Sequence, residues 1–491
     1  MTRFLQSLDR YVRTTDYVLL VTSLVCSGLG LVLIFSATTA LSGGSARYMT
    51  VQTIAIVLGL IGFVAASSIQ YERLMPMWRA VLLLNVLFQL SLLLLGSEDG
   101  GNRSWIRFGG IGVQPAEVGK LLFVFTFAQQ INLYRYRLNQ ARYLLYLGAQ
   151  LGLIVVAIIL PSHDVGVALS YIFIAIIMLF AAGLSWKWFA GGAVLCCAAI
   201  PVLWQVLSNQ QKNRILVLFD PSIAPDTYWQ QEQSRIAIGA GRLLGQGYMQ
   251  GSQTQYNMLP EKQTDFIFAV AGEEWGLIGC LVIIVLLNIL IIRLFYVAYR
   301  ARKQFLSLIC VGVGAMFLYQ TYENIFMCLG IGPVMGLTLP FFSYGGTSVV
   351  TMFLAVGMAA GISMRSKQAQ QTRLAGGVIE EETPYVVHEL ATNRAHLVRR
   401  RGLAQSNASP QMPEDRLMAE MDRPKKRMKK GLLADWGALA EFSDYVKEKV
   451  LYLEPEDFTN QTDSVQPDEE GEPRQMPNAD DLNLEEQKKR K

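Results

Sequence analysis

The chain has 491 residues, 43 Lys and Arg against 39 Asp and Glu, and a net charge of +4. That charge is too small to suggest nucleic acid, and a hydrophobic fraction of 52% is within reach of a soluble protein. The distribution decides the class. Apolar runs of roughly 18–22 residues recur from Asp16 to about Met364, the length a helix needs to cross a bilayer. From Arg365 to Lys491 no such run appears, and Glu, Asp, Lys, Arg, Gln and Pro crowd in. The pattern predicts an all-α, polytopic membrane bundle over 1–365 and a largely disordered polar tail over 366–491.

The N-terminus is basic (Arg3, Arg10, Arg13). The first apolar run is too long for a signal-peptide core and shows no small-residue cleavage site, so it reads as a retained helix. About ten spans follow the hydropathy: 17–38, 48–68, 76–96, 114–133, 143–160, 165–183, 188–207, 266–293, 304–328 and 347–364. Lys and Arg concentrate in alternate short loops, at Arg73 and Arg79, at Arg135, Arg137 and Arg142, at Lys187, and from Arg293 to Lys303. The positive-inside rule puts those loops and both termini in the cytoplasm. The loop 97–113, the turn at 161–164, the large loop 208–265 and the segment 329–346 then face outwards. The six cysteines have no metal or disulfide spacing and read as small apolar helix residues.

Ionisable residues stand out in this apolar setting. Pro115 suits a helix first turn. Glu117 and Lys120 follow on one face, as a structural ion pair or as ligand contacts. Asp164 opens the sixth span. Within the large loop, Ser234–Gly251 is rich in Gly and apolar residues, which suggests a re-entrant or surface-lying segment. Asp265 sits where the loop meets the eighth span, as a helix cap or as a partly desolvated general base. Glu273 and Glu274 lie two turns further on. Gln320, Glu323 and Asn324 share one face of the ninth span. Segment 329–346 breaks regular helix with Gly and Pro, which membrane depth tolerates only against protein or a wet cavity. By physics alone this outlines a transporter or a membrane-embedded enzyme with an outer polar cleft.

Four stretches carry a resemblance: RSWIRFGGIGVQPAEVGK (103–120), QSRIAIGAGRLLGQG (233–247), LPEKQTDFIFAVAGEEWG (259–276) and GPVMGLTLPFFSYGGTS (332–348). They resemble, in order, the motifs of the SEDS family, the RodA and FtsW proteins of bacterial cell-wall synthesis. GSQTQ (251–255) and the double Phe of LPFFSYGG look RodA-like. Ala116, Val165, Val167, Ala240 and Arg242 depart from commoner family versions.

The resemblance implies a peptidoglycan glycosyltransferase of the bacterial plasma membrane. It would polymerise lipid II on the outer face for elongation and rod shape, beside a class B penicillin-binding protein. An FtsW-like division or sporulation role is the alternative. The family's essential Asp maps onto Asp265, implying a general base. The leaving pyrophosphate needs cations, for which Arg103, Arg107, Lys120 and Arg214 are candidates, and a divalent cation (Mg or Mn) could share that task. Trp105, Glu117, Asp164, Gln233, Ser343 and Tyr344 complete the expected substrate contacts. A lipid II flippase or a non-catalytic scaffold would use a similar architecture. The inward face of the bundle shows no comparable motif, which argues against alternating access. In the tail, the basic cluster Arg423–Lys430 precedes a stretch with amphipathic spacing around Leu432, Trp436, Leu439 and Phe442. That combination suggests contact with anionic lipid, and a cytoskeletal contact is the other expectation for the tail.

Overall fold

The structure is a computed structural model that describes residues 11–41, 44–99, 102–108, 111–206 and 208–374. Helices stand at all ten predicted places. They are α1 (Tyr17–Thr39), α2 (Ser45–Ser68), α3 (Tyr71–Leu95, with a 3-10 turn at Met75–Met77), α4 (Pro115–Tyr134), α5 (Ala141–Ser162), α6 (Val165–Ala181) and α7 (Trp186–Val206). Two further helices of eight residues or more, α8 (Asn209–Leu216) and α9 (Pro225–Ala240), fold within the predicted large loop, beside a 3-10 turn at Pro221–Ile223 and a single helical turn at Ser252–Gln255. Then come α10 (Ile267–Arg300), α11 (Gln304–Cys328) and α12 (Gly346–Leu374), the last running past the predicted end of the bundle at 365.

Among the described residues, seven helices are long and apolar enough to cross a membrane. Helix α6 and the Trp186–Pro201 stretch of α7 are apolar but shorter, and α4 is diluted by Glu117, Lys120, Gln129, Gln130 and Asn132. The protein is a multi-pass membrane protein. The basic cluster and amphipathic stretch of the tail lie outside the described residues.

The all-α expectation needs one amendment. Segment 96–113 is a three-stranded antiparallel sheet: β1 (Gly96–Asp99), β2 (Asn102–Phe108) and β3 (Ile111–Val113), with Gly96 opposite Ile106 and Arg107 opposite Gly112. Burial alternates along β2, with Ser104 and Ile106 inside and Arg103 and Arg107 exposed. That period of two is the pattern of a half-buried strand.

Close helix packing rests on small residues. A Cβ on Gly357 would lie 2.6 Å from the Phe63 carbonyl oxygen, and one on Gly361 would lie 2.3 Å from that of Ser67. One glycine per turn lets the α12 backbone touch α2, the usual device where apolar burial cannot drive helix association.

Helix α10 is broken at Gly276 (φ 67°, ψ −163°). The segment 242–247 fills the break. The amides of Gln246 and Gly247 donate to the carbonyls of Glu273 and Glu274, at 2.9 and 3.2 Å. In return, Leu277 and Ile278 donate to the carbonyls of Arg242 and Leu243. Backbone groups freed by the break are thus satisfied by protein, as apolar surroundings require. The glycine-rich motif 239–247 is therefore a plug. Its Gly245 (φ +83°) passes so close that a Cβ would sit 2.1 Å from the Glu274 carbonyl oxygen.

Candidate functional site

Asp265 ends the loop that follows the plug. Two buried side chains set this loop. Glu273, fully buried in α10, accepts from the amides of Gln253 (2.7 Å) and Thr254 (2.9 Å) and from the Thr254 hydroxyl (2.7 Å). Lys262 donates to the Thr254 carbonyl and to Asn257 Oδ1. Burial pushes its ammonium down to about 8, against the opposing pull of Glu273 and Glu274. Glu274 accepts from Ser36 and Gln255, tying the loop to α1.

The backbone around Asp265 is clamped from three directions. The amide of Asn324 in α11 donates to the Asp265 carbonyl at 2.7 Å and to the Leu337 carbonyl at 2.8 Å. The Ser343 hydroxyl donates to the Thr264 carbonyl at 2.6 Å and accepts from the Leu339 amide. The Tyr344 amide donates to the Gln263 carbonyl at 2.8 Å. Behind them, Gln52 of α2 donates to the Ser343 carbonyl and accepts from the Gly345 amide. The irregular segment 329–345 is thus a brace for the 263–265 backbone. Ser343 and Tyr344, expected as substrate contacts, sit in that brace. The Ser343 hydroxyl is spent on backbone, and the Tyr344 ring packs edge-on against Tyr48.

The Asp265 side chain caps nothing. Helix α10 starts after Phe266 without a side-chain cap, so the capping alternative has no counterpart in the geometry. A Cβ on Gly336 would lie 3.5 Å from Asp265 Oδ2, so this glycine leaves the approach to the carboxylate open. Burial raises the Asp265 carboxyl to about 7; Glu261 and Asp164 add to the rise, and Arg214 at the end of α8 opposes it. A carboxylate poised there is half-ionised near neutrality, where a general base works best.

Asp164 is in the same electrostatic neighbourhood. It does cap a helix, accepting from the Val167 amide at 3.1 Å. Burial nevertheless raises its carboxyl, opposed by that bond and by Arg214 and Lys120. Lys120 and Glu117 form a 2.7 Å ion pair in α4, exposed by 0% and 3%. Gln320 reaches Glu117 at 3.5 Å. Asp164, Ser162, Gln89, Gln114 and Ser104 line a narrow cleft between the sheet and the α4 N-terminus.

The structure therefore brings Asp265, Asp164, Arg214, Glu117 and Lys120 together. It does not gather all the expected contacts. Arg103, Trp105 and Arg107 share the face of β2 opposite Ser104, away from that cleft. Gln233 is part-buried on α9, between Gln231 and Ser234, which tie the helix to the carbonyls of Gly332 and Cys328. Gln52, Glu261 and Lys262 were not singled out by the sequence. Gln52 had a signal, a lone amide in an apolar run. Among the described residues, no three His, Cys, Asp or Glu side chains gather as a metal site. No step of the reaction is assigned to a Mg or Mn ion.

Comparison with known proteins agrees with this geometry. The family of cell cycle proteins comprising FtsW, RodA and SpoVE matches residues 16–368. The chain is 33% identical over 382 residues to a probable peptidoglycan glycosyltransferase FtsW of Geobacter metallireducens, covering 74% of this chain and 97% of that protein. It is 32% identical over 322 residues to the peptidoglycan glycosyltransferase MrdB of Escherichia coli K12, covering 65% and 86%. Among solved structures, a chain of a peptidoglycan synthase complex that coordinates polymerisation and crosslinking superposes with a TM-score of 0.60. It is 25% identical, over 72% of this chain and 99% of that one. The rod shape determining protein RodA of Thermus thermophilus superposes with a TM-score of 0.52 at 25% identity, over 71% and 96%. Matched along nearly the whole length of these relatives, the chain belongs to the SEDS (FtsW/RodA) family and is a peptidoglycan glycosyltransferase.

Proposed function

We propose that this glycosyltransferase polymerises lipid II on the outer face of the plasma membrane, with Asp265 as general base and both termini in the cytoplasm. The observation that carries the reading is Asp265 itself. It is a carboxylate with a fixed backbone and no side-chain hydrogen bond among the described residues, raised to about 7 by burial. The acceptor's 4-hydroxyl attacks the donor's anomeric carbon and Asp265 takes its proton as the new carbon–oxygen bond forms. The bond from that carbon to the lipid pyrophosphate breaks, and the leaving group departs with the electron pair. Its growing charge is met by cations already in place, Arg214 and Lys120. Arg103 and Arg107, on the other face of β2, fit an approach role for the anionic substrate better than contact at the reacting atoms.

A role in elongation, beside a class B penicillin-binding protein, is the reading we favour. GSQTQ and the double Phe before SYGG support it, as does the structural similarity to RodA. A division role is the second reading, favoured by the relatives named FtsW at 33% identity. Purified protein given lipid II, alone and with a candidate partner of each type, separates these readings. Glycan polymer formed with an elongation-type partner is the expected result. Transbilayer movement of lipid II without polymer would replace the polymerase with a flippase, and neither outcome would leave a scaffold.

A further inference from the structure

Buried polar atoms in folded proteins almost always have partners, and those without one call for an explanation. Both carboxylate oxygens of Glu323 in α11 are shut off from solvent with no hydrogen-bond partner among the described residues. The residue as a whole is part-buried. Its position is set by the machinery described above. Its neighbour Asn324 holds the Asp265 carbonyl, and Gln320, one turn earlier on the same face, contacts Glu117.

The groups that face Glu323 form no hydrogen bond with it. The charges it meets across the site are Asp265 and Asp164, both carboxylates that accept hydrogen bonds when ionised. On its own helix the ionisable neighbours are Tyr319 and Cys328. The Tyr319 hydroxyl points to Met335 Sδ, and the Cys328 thiol to the Asp265 carbonyl. What the Glu323 oxygens lack in the fold is a bonded donor. A sugar brings hydroxyl donors without adding negative charge to a site that must also take a pyrophosphate.

We propose that Glu323 is a substrate-binding residue whose carboxylate oxygens receive hydroxyls of the acceptor sugar flanking the hydroxyl that Asp265 deprotonates. Building on the reading of Asp265 as the base, this makes Glu323 a determinant of how the acceptor is turned. An unpartnered carboxylate weakens the free protein and is kept for the ligand it takes.

The test is a cycle of one substitution and one substrate change. The measured quantities are kcat and KM for lipid II and for an analogue lacking a hydroxyl next to the attacking one. Glu323→Gln should lower kcat/KM for lipid II roughly ten- to hundredfold, the worth of one or two hydrogen bonds to a charged group. It should also melt at the same temperature as the parent or higher, which a structural role would not give. Wild type should lose a similar factor with the analogue. In Glu323→Gln the missing hydroxyl should then cost no more than about twofold, because the partner is already gone. Glu323→Asp, which keeps the charge on a shorter stem, should fall between the two and serves if the Gln variant folds poorly. Independent, multiplying losses would overturn the proposal. So would full activity in a folded Glu323→Gln protein, or recovery of that variant by added Mg or Mn, which would make the occupant a cation. Asp265→Asn run in parallel tells the two readings apart. Activity there removes the base assignment but leaves the Glu323 cycle readable from its own four rates.

Discussion

The two ends of the bundle handle buried charge in opposite ways. At the end where α1 begins and α10 finishes, Asp16 is 1% exposed and fully engaged. Arg293 donates to both its oxygens, at 2.9 to 3.2 Å, and Ser363 adds a third donor at 2.7 Å. Burial alone would raise that carboxyl, but the bonds from Arg293 and Ser363 and the charges of Arg293 and Lys367 hold it below its usual range. At the other end, Asp265 has no side-chain donor and burial dominates, raising it to about 7. The same residue type is thus a clamp joining α1, α10 and α12 at one end and a poised base at the other. What differs is the donor supply, since pairing and desolvation move a carboxyl in opposite directions.

Stability measurements can break this contrast. The largest loss belongs to the Glu117–Lys120 pair, where both partners are buried. Lys120→Met strands Glu117 and should cost roughly 3–5 kcal/mol. The double replacement Glu117→Gln with Lys120→Met should recover much of that loss while remaining inactive. Thermal unfolding in detergent reads both, and a single variant as stable as the parent would refute the pair's structural role. A smaller loss is expected at the Asp16 end. Asp16→Asn should cost up to about 3 kcal/mol, because Arg293 is 25% exposed and water can partly replace its partner. Unchanged unfolding would mean the paired end is no clamp.

How far these differences were legible in the sequence follows from what each depends on. Hydropathy placed ten of the twelve numbered helices, because an apolar run must be helical in lipid. Glu117 and Lys120 were legible as a pair, since they sit a fixed i, i+3 apart. The sheet over 96–113 was not read, although Arg103-Ser104-Trp105-Ile106-Arg107 alternates with a period of two; the glycines around it looked like loop. The plug at 242–247 and the carboxylates of Glu273 and Glu274 acquire their roles only when the loop meets α10. Gln52 and Ser343, nearly 300 residues apart, meet only in the folded chain.

A finer effect sharpens the comparison through pH. Asp265 must be ionised to accept a proton, so activity should rise with pH through about 7. Glu261→Gln removes a like charge, makes ionisation easier and should move that limb to lower pH. Arg214→Gln removes the opposing cation and should move it to higher pH, with weaker leaving-group stabilisation besides. Initial rates of polymerisation across pH check both directions; limbs that stay in place would show that the titrating group is not Asp265.

The smallest change in stability is expected at Asp265 itself. Its folded carboxyl is raised above the unfolded value of 3.8, so ionisation costs the fold stability as pH rises from there through about 7. Asp265→Asn removes that cost and should unfold no earlier than the parent at neutral pH. The same protein should lose roughly 10²–10⁴-fold in the rate of glycan polymerisation from lipid II, the usual contribution of a positioned base. Rate and melting temperature of purified Asp265→Asn, measured side by side, test the account most directly. A stable protein with that loss is the predicted result, and a stable protein that polymerises at the parental rate would contradict it.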